Sequence, residues 1–238
     1  MCFALSTSAS STGEPREATD AARLVALLLD AGRVTIARNQ DLINDPTKGD
    51  KGFTPEVFET QLEAEFRQRT GLSLARLDQA GEISPLAKSL LGKLLEESKN
   101  TIGAHQIVIN IPGVRYKGLN PATFATETAE RFQRWSGVYL KQTAPSSFVR
   151  NPKNAPDSYE VDALARMAAT TQSDSTTIIS DVVEGGQAVR VLLPLFYDKS
   201  CLACHGEPKG ERDISGYPKE GAKEGQLGGA ISVKIPLK

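Results

Sequence analysis

The sequence lacks a surplus of basic residues, a long apolar run and a ready supply of cysteine or histidine, and each lack removes a class of function. Lys and Arg number 28 against 29 Asp and Glu, for a net charge of -1. No stretch interleaves basic side chains with aromatics as a nucleic-acid groove requires, so nucleic acid is not an expected partner. The longest apolar candidate, Leu24 to Leu29, falls well short of the roughly 18 residues of a membrane span, and the chain is expected to be soluble. Of three Cys and two His, three sit together. Only Cys2 or His105 is left to complete a four-ligand zinc set, at no zinc-finger spacing. What remains is an ordinary globular composition, 39% hydrophobic and 24% charged over 238 residues, enough to bury a core in one large or two small domains.

The three clustered residues are Cys201, Cys204 and His205. At this chain's own residue frequencies a Cys-x-x-Cys-His run would arise by chance roughly 3 times in 10,000 chains of this length, and the spacing is that of c-type haem attachment. A thioredoxin-like dithiol would want the motif on a strand-to-helix turn of a βαβ unit, whereas Lys199-Ser200 precedes it and Gly206-Glu207-Pro208 comes after it. One haem c is therefore expected, held covalently by Cys201 and Cys204, with His205 as the proximal iron ligand.

Haem c attachment adds reduced thiols across two vinyl groups and, in bacteria, takes place outside the cytoplasm. The protein is accordingly expected in the periplasm or on the outer face of the cell envelope. Met1 to Leu5 lacks the basic start and apolar core of an export signal, which fits a start that is trimmed or misassigned. Cys2 followed by the Ser/Thr-rich stretch Ser6 to Thr12 resembles the start of a mature lipoprotein, so a lipid anchor at Cys2 is one expectation and a stray terminal thiol the other.

The chain repeats itself once. Thr35, Ile36, Gln40, Ile43, Asn44, Pro46, Lys51, Gly52, Pro55, Phe58, Thr60, Phe66, Gly71 and Leu74 recur without gaps at Thr101, Ile102, Gln106, Ile109, Asn110, Pro112, Lys117, Gly118, Pro121, Phe124, Thr126, Phe132, Gly137 and Leu140, an offset of 66 residues. Each copy predicts a long helix, a Pro/Gly loop, a shorter helix from Pro55 or Pro121, and a short strand after Gly71 or Gly137. The long helices are expected over Asp20 to Asn44 and Pro85 to Asn110. Matched apolar stripes run along them, Val25, Leu29, Gly32, Ile36, Asn39, Ile43 in one and Leu91, Leu95, Ser98, Ile102, His105, Ile109 in the other. The stripes fit internal packing, a partner-docking surface or a dimer interface alike.

After Gly137 the pattern alternates, predicting strands at Val138 to Thr143, Thr176 to Val183, Ala188 to Phe196 and Gly228 to Ile235. Glu184 to Gln187 reads as a hairpin turn whose glycines can take positive φ. A helix from Asp157 to about Thr170 comes after the proline-broken stretch Arg150 to Pro156. The fold class is α+β, long N-terminal helices carrying the duplicated helix-loop-helix-strand unit and then an antiparallel sheet, with the Cys-x-x-Cys-His motif in a loop between the third and fourth strands.

Five stretches together resemble a bacterial family of exported c-type haem domains with a PAS-like fold. They are Ile43 to Pro46 with Gly49 to Gly52, Tyr116 to Phe124, Arg150 to Pro156, Cys201 to Gly206, and Leu227 to Val233. The resemblance spans roughly Ala21 to Pro236. It implies a PAS-like antiparallel sheet behind a long helix, one haem c, and a role in redox or gas sensing. Members often join a transmembrane signalling module, of which residues up to Lys238 hold none. The expected organisation is a flexible tether over 1–19, a first helical repeat over 20–82 and a PAS-like haem c domain over 83–238 that includes the second repeat.

The second axial ligand sets the chemistry. His105 occupies an inward helix position where the first copy has Asn39, and reads either as the distal iron ligand or as a half-buried histidine satisfied by a hydrogen bond. Relatives with a thiolate-ligated haem would implicate a Cys, but neither long helix holds one, leaving only Cys2. Met167 on the helix after Asp157, or an open site, completes the alternatives. Arg150, Lys153, Arg190 and Tyr217 are the residues expected near the haem propionates. A redox or small-gas sensor is expected first, with a gas ligand as its partner, and an electron-transfer cytochrome with a redox-partner protein second. An enzyme such as a peroxidase would need an acid/base group over an open iron face, and no second carboxylate or arginine stands at a telling spacing.

Overall fold

The computed structural model describes residues 13–169 and 178–237. Cys2 and the Ser/Thr stretch 6–12 lie outside the described residues, as do 176–177 of the second expected strand. Helix α1 spans Gly13–Arg38, so it begins seven residues before the expected start and takes in 13–19 of the expected tether. Buried alanines at 18, 21, 22 and 26 extend its inward face.

The first long helix also breaks earlier than its stripe suggests. Asn39 bonds backward through its amide N–H to the Ile36 carbonyl, while its side chain takes the Thr35 carbonyl at 2.8 Å. That side-chain bond replaces a rung of the helical ladder, and a separate short helix α2, Gln40–Ile43, comes next. Helix α4, Pro85–Ile109, is continuous as expected.

The shorter helices α3, Pro55–Thr70, and α5, Pro121–Ser136, start identically. Thr54 and Asn120 accept the N–H of Val57 and Thr123, and proline fills the first turn where no N–H is needed. The copies then diverge. After Gly137 comes strand β1, Tyr139–Thr143, but after Gly71 comes a 3-10 turn, Leu74–Gln79, in place of the expected strand. Glu63 accepts from the Ser73 hydroxyl and the Leu74 N–H at 2.7 Å each. Leu74 and Leu77, at helical spacing, dip into the core. β1 instead has a sheet to join.

That sheet is four-stranded and antiparallel in the order β1-β4-β3-β2, with β2 at Ile179–Val183, β3 at Ala188–Phe196 and β4 at Leu227–Pro236. The Glu184–Gly186 turn closes the expected β2–β3 hairpin. Side chains alternate across it as the pleat demands. Val189, Val191, Leu193, Ile231 and Val233 join the helical core, while Leu192 and Ala230 meet Ala163, Leu164 and Met167 of helix α6, Ser158–Ala169. The molecule is α+β, helices first and an antiparallel sheet after, compatible with a PAS-like description. No helix among the described residues is long and apolar enough to cross a membrane.

The two copies clasp each other. Lys117 N–H donates to Asn44 and Lys51 N–H to Asn110, both at 3.1 Å. The Gln40 amide reaches the Leu119 carbonyl at 3.0 Å and the Gln106 amide the Phe53 carbonyl at 2.7 Å. Each contact has its counterpart 66 residues on, so the halves are related by a local two-fold exchange. Phe58 and its repeat partner Phe124 touch on that axis, ring centroids 5.3 Å apart. The apolar stripes of α1 and α4 are consumed inside this packing, since Val25, Leu29, Ile36, Leu91, Ile102 and Ile109 are fully buried.

Candidate functional site

The motif sits at one end of the sheet, where β3 leaves and β4 returns. Asp198 ends the exit from β3 and organises the turn after it. One of its oxygens accepts from the Ser200 N–H at 2.8 Å, the Ser200 hydroxyl at 2.5 Å, the Cys201 N–H at 3.2 Å and the Cys201 thiol at 3.4 Å. The next residues wind into a single turn, α7, Leu202–His205, with the Cys204 and His205 N–H groups both bonded to the Cys201 carbonyl at 3.1 and 3.0 Å. Residues three and four apart on such a turn share a face, which brings both thiols and the imidazole to one side. Gly206 ends the turn. A Cβ there would lie 2.6 Å from the Leu202 carbonyl oxygen, so no other residue fits.

Cys201 and Cys204 are not bonded to each other and are half-buried. Burial pushes both thiols up, so they stay protonated at neutral pH. His205 is fixed by its Nδ1, 2.9 Å from Glu220 Oε2, and by the Tyr197 ring, 5.0 Å away and tilted by 32°. Tyr197 in turn meets Phe148 at 6.0 Å. Burial and the Arg150 cation hold the imidazole below its usual range despite the Glu220 carboxylate. Burial raises the Glu220 carboxyl, but hydrogen bonds from Arg150 and His205 outweigh it and keep the group ionised. An ionised carboxylate only accepts, so Nδ1 carries the proton and Nε2 presents its lone pair.

Arg150 binds Glu220 through two parallel bonds of 2.6 and 2.9 Å. It also reaches Asp213 at 2.6 Å and the Cys204 carbonyl at 2.8 Å, and lies 5.5 Å from the centre of the Tyr217 ring. Two of the four residues expected near propionates, Arg150 and Tyr217, therefore do belong to this cluster. The other two stand elsewhere. Lys153 pairs at the surface with Glu130 at 2.5 Å. Arg190 is buried between the rings of Tyr139 and Tyr159, bonded to Asp157 at 2.6 Å and Glu160 at 2.8 Å.

His105 is partnered too. Its Nε2 lies 2.9 Å from Glu127 between α4 and α5, the counterpart of the 2.6 Å contact between Asn39 and Gln61 in the first copy. Among the described contacts none joins His105 to the motif. Met167 faces a cleft of about 640 Å³ that also takes in Pro145, Phe148, Leu164, Phe196 and Leu227. The cleft opens at the same end of the sheet as the motif, with Phe148 and Phe196 shared between its wall and the approach to Tyr197.

Sequence reasoning missed Glu220, Asp213, Asp198 and Tyr197. Asp198 had a signal, since Asp three residues ahead of a short turn is a capping pattern. Glu220 had none, lying 15 residues from His205 with only folding to join them. Among the described residues no group of three or more His, Cys, Asp or Glu is arranged to hold a bare metal ion.

The model of the Tll0287-like family matches residues 14–236, nearly the whole chain. Among solved structures, the crystal structure of the cyanobacterial heme-protein Tll0287 is similar at 20% identity with a TM-score of 0.43, over 62% of this chain and 91% of that one. No curated protein matches.

Proposed function

This chain belongs to the Tll0287-like family, and from that premise we propose that it binds one haem c through thioethers at Cys201 and Cys204, with His205 as an axial iron ligand, and serves as a redox or small-gas sensing module of the cell envelope. The observation that carries the reading is the imidazole of His205, its Nδ1 engaged by Glu220 at 2.9 Å and its Nε2 left for a metal, on the same turn as two unlinked thiols. A histidine that ligates a metal is characteristically held this way by a carboxylate behind it. The cyanobacterial protein reported above is itself described as a heme-protein.

The residues present fit the group. Two protonated thiols are the form that adds across vinyl groups, and Asp198 holds the first of them by its backbone and sulfur. A cleft of about 640 Å³, lined mainly by apolar side chains, opens at the same end of the sheet and would offer room for part of a macrocycle. When bound, the haem would supply one-electron exchange or a site for a diatomic gas. Around it, Glu220 orients His205, Arg150 ties Glu220 to the Cys204 carbonyl, and Tyr197 blocks rotation of the imidazole ring. Of the two side chains considered as a second ligand, Met167 lines the cleft and His105 pairs with Glu127 between α4 and α5.

An electron-transfer role is the second reading. Ile214 and Tyr217, in the loop that closes over the motif, are 51% and 48% exposed, the sort of apolar rim that a small redox partner docks against. Gas titration separates the two. A sensor's reduced spectrum shifts on addition of CO or NO, whereas an electron carrier with both axial positions filled leaves it unchanged. Because haem c is attached outside the cytoplasm, the reading also places the protein in the periplasm or on the outer face of the envelope.

A further inference from the structure

The carboxylate behind His205 is not left to act alone. Glu220 accepts from the imidazole Nδ1–H at 2.9 Å and is only 13% exposed, so little water competes for it. A carboxylate in this position gives the imidazole partial anionic character and favours the more highly charged state of a metal on the far nitrogen. Arg150 opposes it by gripping both oxygens of the same carboxylate at 2.6 and 2.9 Å. Arg150 is itself locked in place by Asp213 and by the carbonyl of Cys204. The cation is thus anchored to the turn that holds the attachment thiol, and a bidentate guanidinium cannot slide off without breaking that anchor.

We propose that Glu220 and Arg150 form an opposed pair of positioning residues that set the iron's reduction potential through Nδ1 of His205, Glu220 lowering it and Arg150 raising it. This rests on the reading of His205 as a ligand of haem c. Neither residue touches the iron, and both act by deciding how much negative charge the imidazole shares.

The test is a spectroelectrochemical titration, at one fixed pH, of the full chain matured with haem, as wild type, Glu220→Gln and Arg150→Gln. Covalent attachment is first confirmed by intact mass after denaturation. Glu220→Gln keeps a hydrogen-bond acceptor but removes the charge, and favours the reduced state by about tenfold, a positive shift of about 59 mV for one electron. Arg150→Gln shifts the potential in the opposite direction. A merely structural cluster would loosen in either variant and move both potentials the same way. Potentials that stay at the wild-type value, or that move with the same sign, overturn the proposal while leaving the haem reading intact. If Glu220→Gln fails to mature, the sign of the Arg150→Gln shift decides alone. A wild-type chain that matures without covalent haem overturns the underlying reading, and the proposal with it.

Discussion

A Cβ on Gly32 would stand 2.5 Å from Cε1 of Phe124, far inside the contact distance of two carbons. Phe124 is fully buried between the repeats and cannot swing away. Gly32→Ala is therefore predicted to destabilise the chain by roughly 1–3 kcal/mol despite the higher helix propensity of alanine, the usual cost of overpacking. Urea unfolding measures it, and a midpoint at or above that of the wild type would show that the rings can yield. A second residue-scale test concerns Glu160, whose side chain is 0% exposed and takes up Lys141 at 2.8 Å and Arg190 at 2.8 Å, with the Tyr139 hydroxyl at 3.0 Å. Removing its charge takes the carboxylate from Lys141 and leaves Arg190 with Asp157 alone, so Glu160→Gln is predicted to cost about 3 kcal/mol. An unfolding free energy within error of the wild type would mean that the cluster re-pairs without it. Legibility at this scale was uneven. The Cys-x-x-Cys-His motif stood out because rare residues met at a telling spacing, whereas Arg190 and Lys153 have only their charge to single them out, and the fold spends those charges on Asp157, Glu160 and Glu130.

At the scale of elements, the recurring residues explain themselves. Gln40 and Gln106, Asn44 and Asn110, and Lys51 and Lys117 are the side chains and amides that bond across from one copy to the other. Their recurrence was visible in the sequence, but its purpose was not, because a repeat shows which positions match and not which copy each one touches. Asn44→Ala and Asn110→Ala are each predicted to cost about 1 kcal/mol through the lost bond to a backbone N–H, and by near-equal amounts, since their surroundings are related by the exchange. Markedly unequal losses in chemical denaturation would contradict the two-fold relation. The same logic explains the strand that did not repeat. Leu74-Ala75-Arg76-Leu77 matches Leu140 and its neighbours only at its first residue, and its leucines are three apart, a helical spacing rather than a strand's. Without a sheet edge beside it, local pattern decides.

At the scale of the whole molecule, the order of elements and the family were legible, because order is carried by many weak loop signals together, and the match over residues 14–236 bears out the resemblance drawn from them. The surroundings of His205 were not legible, since Arg150, Asp213 and Glu220 come from distant segments that only the closed fold unites. A separate cluster, in which Glu160 and Asp157 pair with Lys141 and Arg190, couples stability to pH. Burial raises the Glu160 and Asp157 carboxyls, but their hydrogen bonds and cations outweigh it and hold both below their ordinary values of 4.5 and 3.8. Carboxylates depressed in the folded state contribute stability that is fully present above the ordinary value and lost as pH falls through the folded one. The haem-free chain is therefore predicted to hold its melting temperature from neutrality to about pH 5 and to lose it progressively below about pH 4.5. Glu160→Gln should flatten that decline, and an unchanged acid slope in the variant would place the linkage in other groups.

The central claim is the covalent haem at Cys201 and Cys204. Its most direct test is the intact mass of the denatured protein after export in a cell equipped for haem c maturation, beside a Cys201→Ser/Cys204→Ser variant made the same way. The wild type is expected to keep the mass of one haem through denaturation, and the variant to have the mass of the bare polypeptide. A wild type that denatures to bare polypeptide would contradict it.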